Sequence, residues 1–218
     1  TEAERALDLT LSWAKESRAT HRKLKGKSLL FGIVQGSTFE NLRKRSAQET
    51  VKIGFDGYAI GGVAVVGESW SEQANAIKWA EPFLPSDKPR YLMGSGKPEE
   101  IVRAVKLGID MFDCVLPTRN ARHGNLYVLT KALNHSPEWF SGKFYDIMHI
   151  TNEKYSRDFK AVDPYCSCFT CTHHSRAYLR HLFKTSEPLA QRLATIHNVK
   201  FYLDLMERLQ SAIAEAKL

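Results

Sequence analysis

Cysteine is scarce in this chain. Only four occur in 218 residues, and three of them crowd into one short stretch, which excludes a disulfide framework built from an even set spread along a small loop-rich protein. Long hydrophobic runs are missing too: no apolar segment is long enough to cross a bilayer. An initial methionine is also lacking. The chain starts at Thr1 on what reads as a helix already under way from Glu2 to Ser17, and part of the native polypeptide is expected to lie outside it. Acidic residues are the minority, 24 against 31 Lys and Arg, for a formal charge of +7 and a pI near 9.2. That balance suits a polyanionic partner without requiring one. The hydrophobic share of 43% is that of an ordinary globular protein with a substantial core.

The three clustered cysteines, Cys166, Cys168 and Cys171, follow the spacing C-x-C-x-x-C, and His197 stands downstream in Thr195-Ile196-His197-Asn198. Three thiolates and one imidazole complete a tetrahedral set for zinc, whereas a catalytic zinc keeps one position open. The expected site is therefore structural. A redox pair, Cys168 and Cys171, is the competing reading, and the additional Cys166 argues against it. The fourth cysteine, Cys114, lies far upstream in a hydrophobic run. Because His197 falls in a strongly helical stretch, Ser186 to Lys217, the metal would bind the tail to the cysteine loop.

Between Leu29 and Val115 short apolar runs alternate with amphipathic stretches. Strands are expected at Leu29–Val34, Tyr58–Ile60, Arg90–Met93 and Met111–Val115, with helices over Phe39–Ile53, over Ser71–Phe83 and from Pro98 onward, where Pro98-Glu99-Glu100 makes a good first turn. Four successive strand and helix units imply parallel strands with right-handed crossovers. They fit half of a (β/α)8 barrel or one side of a doubly wound sheet. Gln35, Gly62, Met93 and Asp113 fall at or near strand C-termini, which favours the barrel, although an open sheet gathers ligands there as well. Pro117 to Gly124 reads as a basic loop of turn formers, and Lys131 to Lys154 as an insertion of loops and short strands.

Seven segments give this chain a resemblance to the C-terminal half of the bacterial-type tRNA-guanine transglycosylases. They are Gly32-Ile33-Val34-Gln35-Gly36, Phe55 to Gly62, Asp87 to Gly94, Gly108 to Arg122, the C-x-C-x-x-C cluster, Ser175-Arg176-Ala177-Tyr178-Leu179 and Thr195 to Asn198. They run in family order from about residue 11 to the end.

The resemblance implies an α/β fold: the second half of a (β/α)8 TIM barrel over residues 1–125, with an inserted zinc-binding subdomain and C-terminal helices over 126–218. It implies a cytoplasmic enzyme, a homodimer built near the zinc region at His174, Tyr178 and His181, that replaces guanine at wobble position 34 of G-U-N anticodon tRNAs (Asp, Asn, His and Tyr type) by a 7-deazaguanine, preQ1 or queuine. Asp113 would be the nucleophile, forming a covalent aspartyl-ribose intermediate. Gln35, Gly62, Val63 and Met93 would bind the base. Gly94, Ser95, Gly96, Lys97, Pro98, Glu99 and Glu100, together with Thr118, Arg119, Asn120, Ala121 and Arg122, would contact RNA. Cys166, Cys168, Cys171 and His197 would hold a structural Zn2+. The alternative is a non-catalytic zinc-containing tRNA-binding or dimer-partner subunit, and a redox or regulatory zinc protein is a third reading.

The chain departs from the family pattern in several places. Val63 to Glu68 carries an extra valine where the pocket distinguishes the two bases, Ser37 stands where a second glycine is common, Leu129 to Met148 is longer than usual, and Thr151 replaces an arginine. The Asp-Ser-Gly-Gly-Phe-Gln motif with its general acid/base aspartate is not in these residues, so the fragment alone is expected to be inactive.

Overall fold

The computed structural model describes residues 1–24, 27–63, 69–131 and 142–216. Its first elements are α1 (Glu2–Leu24), β1 (Phe31–Val34), α2 (Glu40–Ile53), β2 (Gly57–Ile60), α3 (Trp70–Ala80), β3 (Arg90–Leu92), α4 (Pro98–Val105) and β4 (Met111–Phe112). The four strands form one parallel sheet in the order β1-β2-β3-β4. Each side chain of β2 is buried, the pattern of a strand covered on both faces.

Local chemistry explains the boundaries. A capping box starts α3: the Ser69 amide donates to Glu72 Oε2 at 2.7 Å, and the Ser69 hydroxyl accepts from the Glu72 amide at 3.4 Å. Pro82 turns its end into a 3-10 turn, Glu81–Phe83. α4 opens on Pro98 with Glu99 and Glu100 in its first turn, favourable to the helix dipole. β4 is shorter than the expected Met111–Val115. It pairs only as Tyr91↔Met111 and Leu92↔Phe112, because β3 ends at Leu92 and the chain turns at Gly94, whose φ is +77°.

The core of this part joins Val34, Ala47, Tyr58, Ile60, Ile77, Leu92 and Ile109. Burying one such large apolar side chain contributes about 1.5–3 kcal/mol. Leu7 and Leu11 of α1 pack on Leu42 of α2.

The remaining elements are α5 (Leu116–Arg122), β5 (Asn125–Leu129), β6 (Tyr145–His149), α6 (Phe169–His173), α7 (Arg176–Lys184) and α8 (Pro188–Ala214). β5 and β6 pair antiparallel from Asn125↔His149 to Leu129↔Tyr145. The basic segment after Val115, expected as a loop, is instead the helix α5. Pro117 sits in its first turn, Ala121 is fully buried, and Gly124, at φ +70°, follows its end. The residues group into two compact units, Thr1–Cys114 and Val115–Leu218, so α5 and Asn125 group with the second unit rather than with the strands before them. Residues 64–68 of the segment Val63 to Glu68, where an extra valine is expected, and residues 132–141 of the expected insertion lie outside the described residues. Among the described residues no helix is long and apolar enough to cross a membrane.

Candidate functional site

The C-terminal ends of the parallel strands bring Gln35, Gly62, Met93 and Asp113 to consecutive positions along one edge of the sheet. Asp113 follows β4 and is exposed. Two donors from β3 and its turn meet on one carboxylate oxygen: the Tyr91 hydroxyl at 2.5 Å and the Gly94 amide at 2.8 Å, both to Oδ1. Among the described residues Oδ2 takes no hydrogen bond and faces no such restraint. The bond to Asp113, then burial, raises the Tyr91 phenol to about 12, so Tyr91 stays protonated and remains a donor at neutral pH.

Gln35 and the Gly61-Gly62 pair lie against each other. A Cβ on Gly62 would stand 2.6 Å from Gln35 Oε1, and one on Gly61 would stand 3.1 Å from Nε2. Gly62 also has φ +68°, so two constraints call for glycine there. Gly62 is exposed between buried Gly61 and Val63. Met93 is half-buried, and its amide donates to the Ile60 carbonyl at 3.1 Å.

The two expected RNA segments present their residues unevenly. In the first, Gly94 and Lys97 are exposed and Glu99 is half-buried, while Ser95, Gly96, Pro98 and Glu100 are buried. Glu100 takes the Lys97 ammonium at 3.0 Å. In the second, Arg119 and Arg122 are exposed and Thr118 is half-buried, but Ala121 is core and Asn120 donates to the Tyr127 hydroxyl at 2.6 Å. Asn120 and Ala121 therefore hold α5 in place, and the two arginines are what it offers to solvent.

The second unit assembles Cys166, Cys168, Cys171 and His197, whose ligand atoms all lie within 4.8 Å of one another. The Cys171 and Cys168 sulfurs are 3.3 and 3.7 Å from His197 Nδ1. Ligands on a tetrahedral zinc sit roughly 3.5–3.8 Å apart, so the set is close to closing on an ion. The Cys168 amide donates to the Cys166 sulfur at 3.5 Å, and the Cys171 amide to the Cys168 sulfur at 3.4 Å. His197 Nε2 lies 2.7 Å from the Tyr127 carbonyl. That oxygen can only accept, so Nε2 carries a proton and Nδ1 is the nitrogen that faces the sulfurs, where a bound metal ion would take the place of a second proton.

The donor set itself calls for a cation. Hydrogen bonds from Cys166 and then Cys171 hold the Cys168 thiol far below the usual thiol range, and the same crowding, Cys166 first, drives Cys171 up. Burial opposes charge on His197, yet its bonds to Cys166 and Cys168 lift it to about 10. A site that seeks positive charge among three sulfurs is chemically suited to a soft divalent ion. The cysteine loop is fixed by buried Asp163, whose carboxylate accepts from the Leu129 amide at 2.9 Å and the Tyr165 amide at 2.8 Å.

A family model described as queuine tRNA-ribosyltransferase matches residues 1–218. The chain belongs to the queuine tRNA-ribosyltransferase family. It is 49% identical over 213 residues to the queuine tRNA-ribosyltransferase of Mannheimia succiniciproducens, covering 98% of this chain and 52% of that protein. Its likeness to the enzymes of Actinobacillus succinogenes, 50%, and Histophilus somni, 49%, has the same extent. The chain thus spans about half the length of the curated relatives it matches.

Several residues of this queuine tRNA-ribosyltransferase family chain escaped the sequence reading. Tyr91 stands in the expected strand Arg90–Met93 and in the segment Asp87 to Gly94 with no role of its own, although a tyrosine next to a strand's C-terminal end is placed near the sheet edge. Asn198 was part of a motif without a role. Its side chain, fully buried, accepts from the Tyr127 amide at 3.1 Å and donates to the Pro117 and Asn125 carbonyls at 3.0 and 2.9 Å. The cluster His174, Tyr178 and His181, whose spacing would suit one helical face, is divided. His174 is the extended residue ending α6, and only the other two lie on α7, although the His174 and Tyr178 rings stack with centroids 5.1 Å apart.

Proposed function

We propose that this chain carries the nucleophile, part of the base pocket and the structural zinc centre of a tRNA-guanine transglycosylase. The reaction would exchange guanine at position 34 of G-U-N anticodon tRNAs for preQ1 or queuine. The observation that carries this reading is the Asp113 carboxylate, fixed through Oδ1 by Tyr91 and Gly94 with Oδ2 open, in a chain of this family.

In the first step an Asp113 oxygen attacks ribose C1′. The bond from C1′ to guanine N9 breaks, and the departing base keeps the electron pair. A carboxylate nucleophile matches an oxocarbenium-like transition state, as in retaining glycosidases. The general acid/base aspartate, supplied from outside these residues, would protonate the departing guanine; the incoming base then attacks C1′ through N9, gives its N9 proton to that carboxylate, and returns the carboxylate to Asp113. The target nucleotide must leave its stack to reach the carboxylate. Gln35, Gly62, Val63 and Met93 would receive the base. The exposed Arg119 and Arg122 and the backbone at the start of α4 would hold phosphates.

Cys166, Cys168, Cys171 and His197 would hold zinc, which would supply rigidity and no chemistry, since all its positions are taken by protein. The parallel sheet in sequential order supports half of a (β/α)8 barrel, with the other strands and the general acid/base aspartate supplied from outside these residues. A homodimer contact near the zinc would use Tyr178, which is 39% exposed, while its stack on His174 of the same chain equally fits packing within the chain.

The complete protein is tested for incorporation of labelled guanine into a G-U-N tRNA. Failure with Asp113 intact rejects the reading, and tRNA binding without exchange would favour a non-catalytic subunit. Asp113→Asn should abolish the covalent tRNA adduct on a denaturing gel. An adduct that persists removes Asp113 as the nucleophile.

A further inference from the structure

Arg43 of α2 is fully buried, with no carboxylate among its hydrogen-bond partners. Its guanidinium donates only to main-chain carbonyls: from Nε to Ser37 at 2.7 Å, from one terminal nitrogen to Val34 at 3.0 Å and Gly61 at 2.8 Å, and from the other to Gly62 at 3.5 Å. A cation placed in the interior without a counter-charge is costly, and burial lowers its pKa to about 10. Holding four carbonyls at two strand ends is a demanding geometry that only a planar fork with five donors can meet.

The consequence lies on the other side of each peptide. In a trans peptide the carbonyl and the following N–H point in opposite directions. With the Gly61 and Gly62 carbonyls turned to Arg43, the Gly62 and Val63 amides face away from it as two adjacent donors. The peptide between Val34 and Gln35 is held from both sides: Val34 oxygen takes Arg43, and the Gln35 amide donates to Ser46, one turn along α2, at 3.0 Å. Ser37 adopts φ 52°, and its carbonyl takes the shortest of the four Arg43 bonds.

We infer that Arg43 is a positioning residue for base recognition, which presets the Gly62 and Val63 amides, and the backbone that carries the Gln35 side chain, to receive the edge of a purine-like base without touching that base. This rests on the proposed role of Gln35 and Gly62. A lysine in its place keeps the charge but supplies no fork, so it reaches one or two carbonyls and leaves the peptides free to rotate.

The test uses the complete protein with Arg43→Lys and Arg43→Met, assayed for guanine exchange into a G-U-N tRNA and normalised to the fraction forming the covalent tRNA adduct. The KM for guanine should rise at least about tenfold, the equivalent of one lost bond to a charged donor, while the KM for tRNA stays within about twofold and metal content is unchanged. A guanine KM unchanged in a folded Arg43→Lys protein overturns the inference. So does failure of both variants to fold, which would assign Arg43 to stability alone. If the wild-type protein exchanges no guanine, the proposed function fails first, so the two failures are separable.

Discussion

Replacing Asn198 by alanine tests how the second unit is held together. The side chain is fully buried and makes three hydrogen bonds that tie α8 to β5 and to α5, at the Tyr127 amide, the Pro117 carbonyl and the Asn125 carbonyl. Asn198→Ala leaves one amide and two carbonyls without these partners. Each unsatisfied buried group costs about 1–3 kcal/mol. Carbonyls can be re-satisfied by an entering water more easily than an amide can, so the total is expected near the low end, about 3–5 kcal/mol. For a cooperative unit of 150–250 residues each kcal/mol shifts the melting point by roughly 2–4 °C, giving a fall on the order of 10 °C. Calorimetry of the complete protein, with metal content measured alongside, reads it. Asn198→Asp serves as the control: it keeps an acceptor for Tyr127 but sets a second oxygen against two carbonyls, and should melt no higher than the alanine protein at neutral pH. Melting within about 2 °C of wild type for Asn198→Ala, below the shift expected for even 1 kcal/mol, would refute the assignment of these three bonds.

Tyr91 gives a pH prediction. Its folded pKa, about 12, lies above the unfolded value of about 10, so its stabilising effect is complete below about pH 10 and is lost as pH rises through 12. Ultraviolet titration should show a late-ionising component that is lost in Tyr91→Phe and moves toward 10 in Asp113→Asn; identical curves for the wild-type and asparagine proteins would contradict the bond. Ser37→Gly should raise the urea midpoint by the equivalent of about 0.5–1 kcal/mol, because left-handed backbone is costly for serine and the larger unfolded-state entropy of glycine offsets only part of that gain. A lower midpoint would count against the φ of 52°. Elemental analysis of the complete protein should find about one zinc per chain, falling below half in Cys168→Ser together with a lower melting point.

What could be read from the residues, and what could not, divides by the range of the interaction. The four parallel strands were legible as short apolar runs between amphipathic stretches, and in β2, Gly57–Ile60, burial on both faces accounts for the unbroken run. The metal set was legible because three of its members are neighbours. Arg43 was not. It stands among Glu40, Lys44 and Arg45 on α2, where a charged residue reads as part of a solvated face, and Lys44 and Arg45 do pair there with Glu40 and Glu49. Only contact with Gly61, eighteen residues away, gives it a buried role. α5 was hidden by its composition: Pro117, Asn120 and Gly124 resemble a turn, and the buried Ala121 and the Asn120 to Tyr127 bond that make it a helix depend on residues beyond it.

Asp113 and His197 show the same economy of design in opposite settings. One oxygen of Asp113 is immobilised by two donors from the neighbouring strand and its turn, so parallel pairing itself sets the direction of the remaining oxygen, and a change in the β3–β4 register would misplace it without altering its chemistry. His197 commits Nε2 to the Tyr127 carbonyl and Nδ1 to the sulfurs, leaving neither nitrogen available for proton transfer. An exposed carboxylate with one open oxygen can react. A buried imidazole with both nitrogens occupied and three sulfurs beside it can only hold, and that difference in free valence separates the group assigned to chemistry from the cluster assigned to structure.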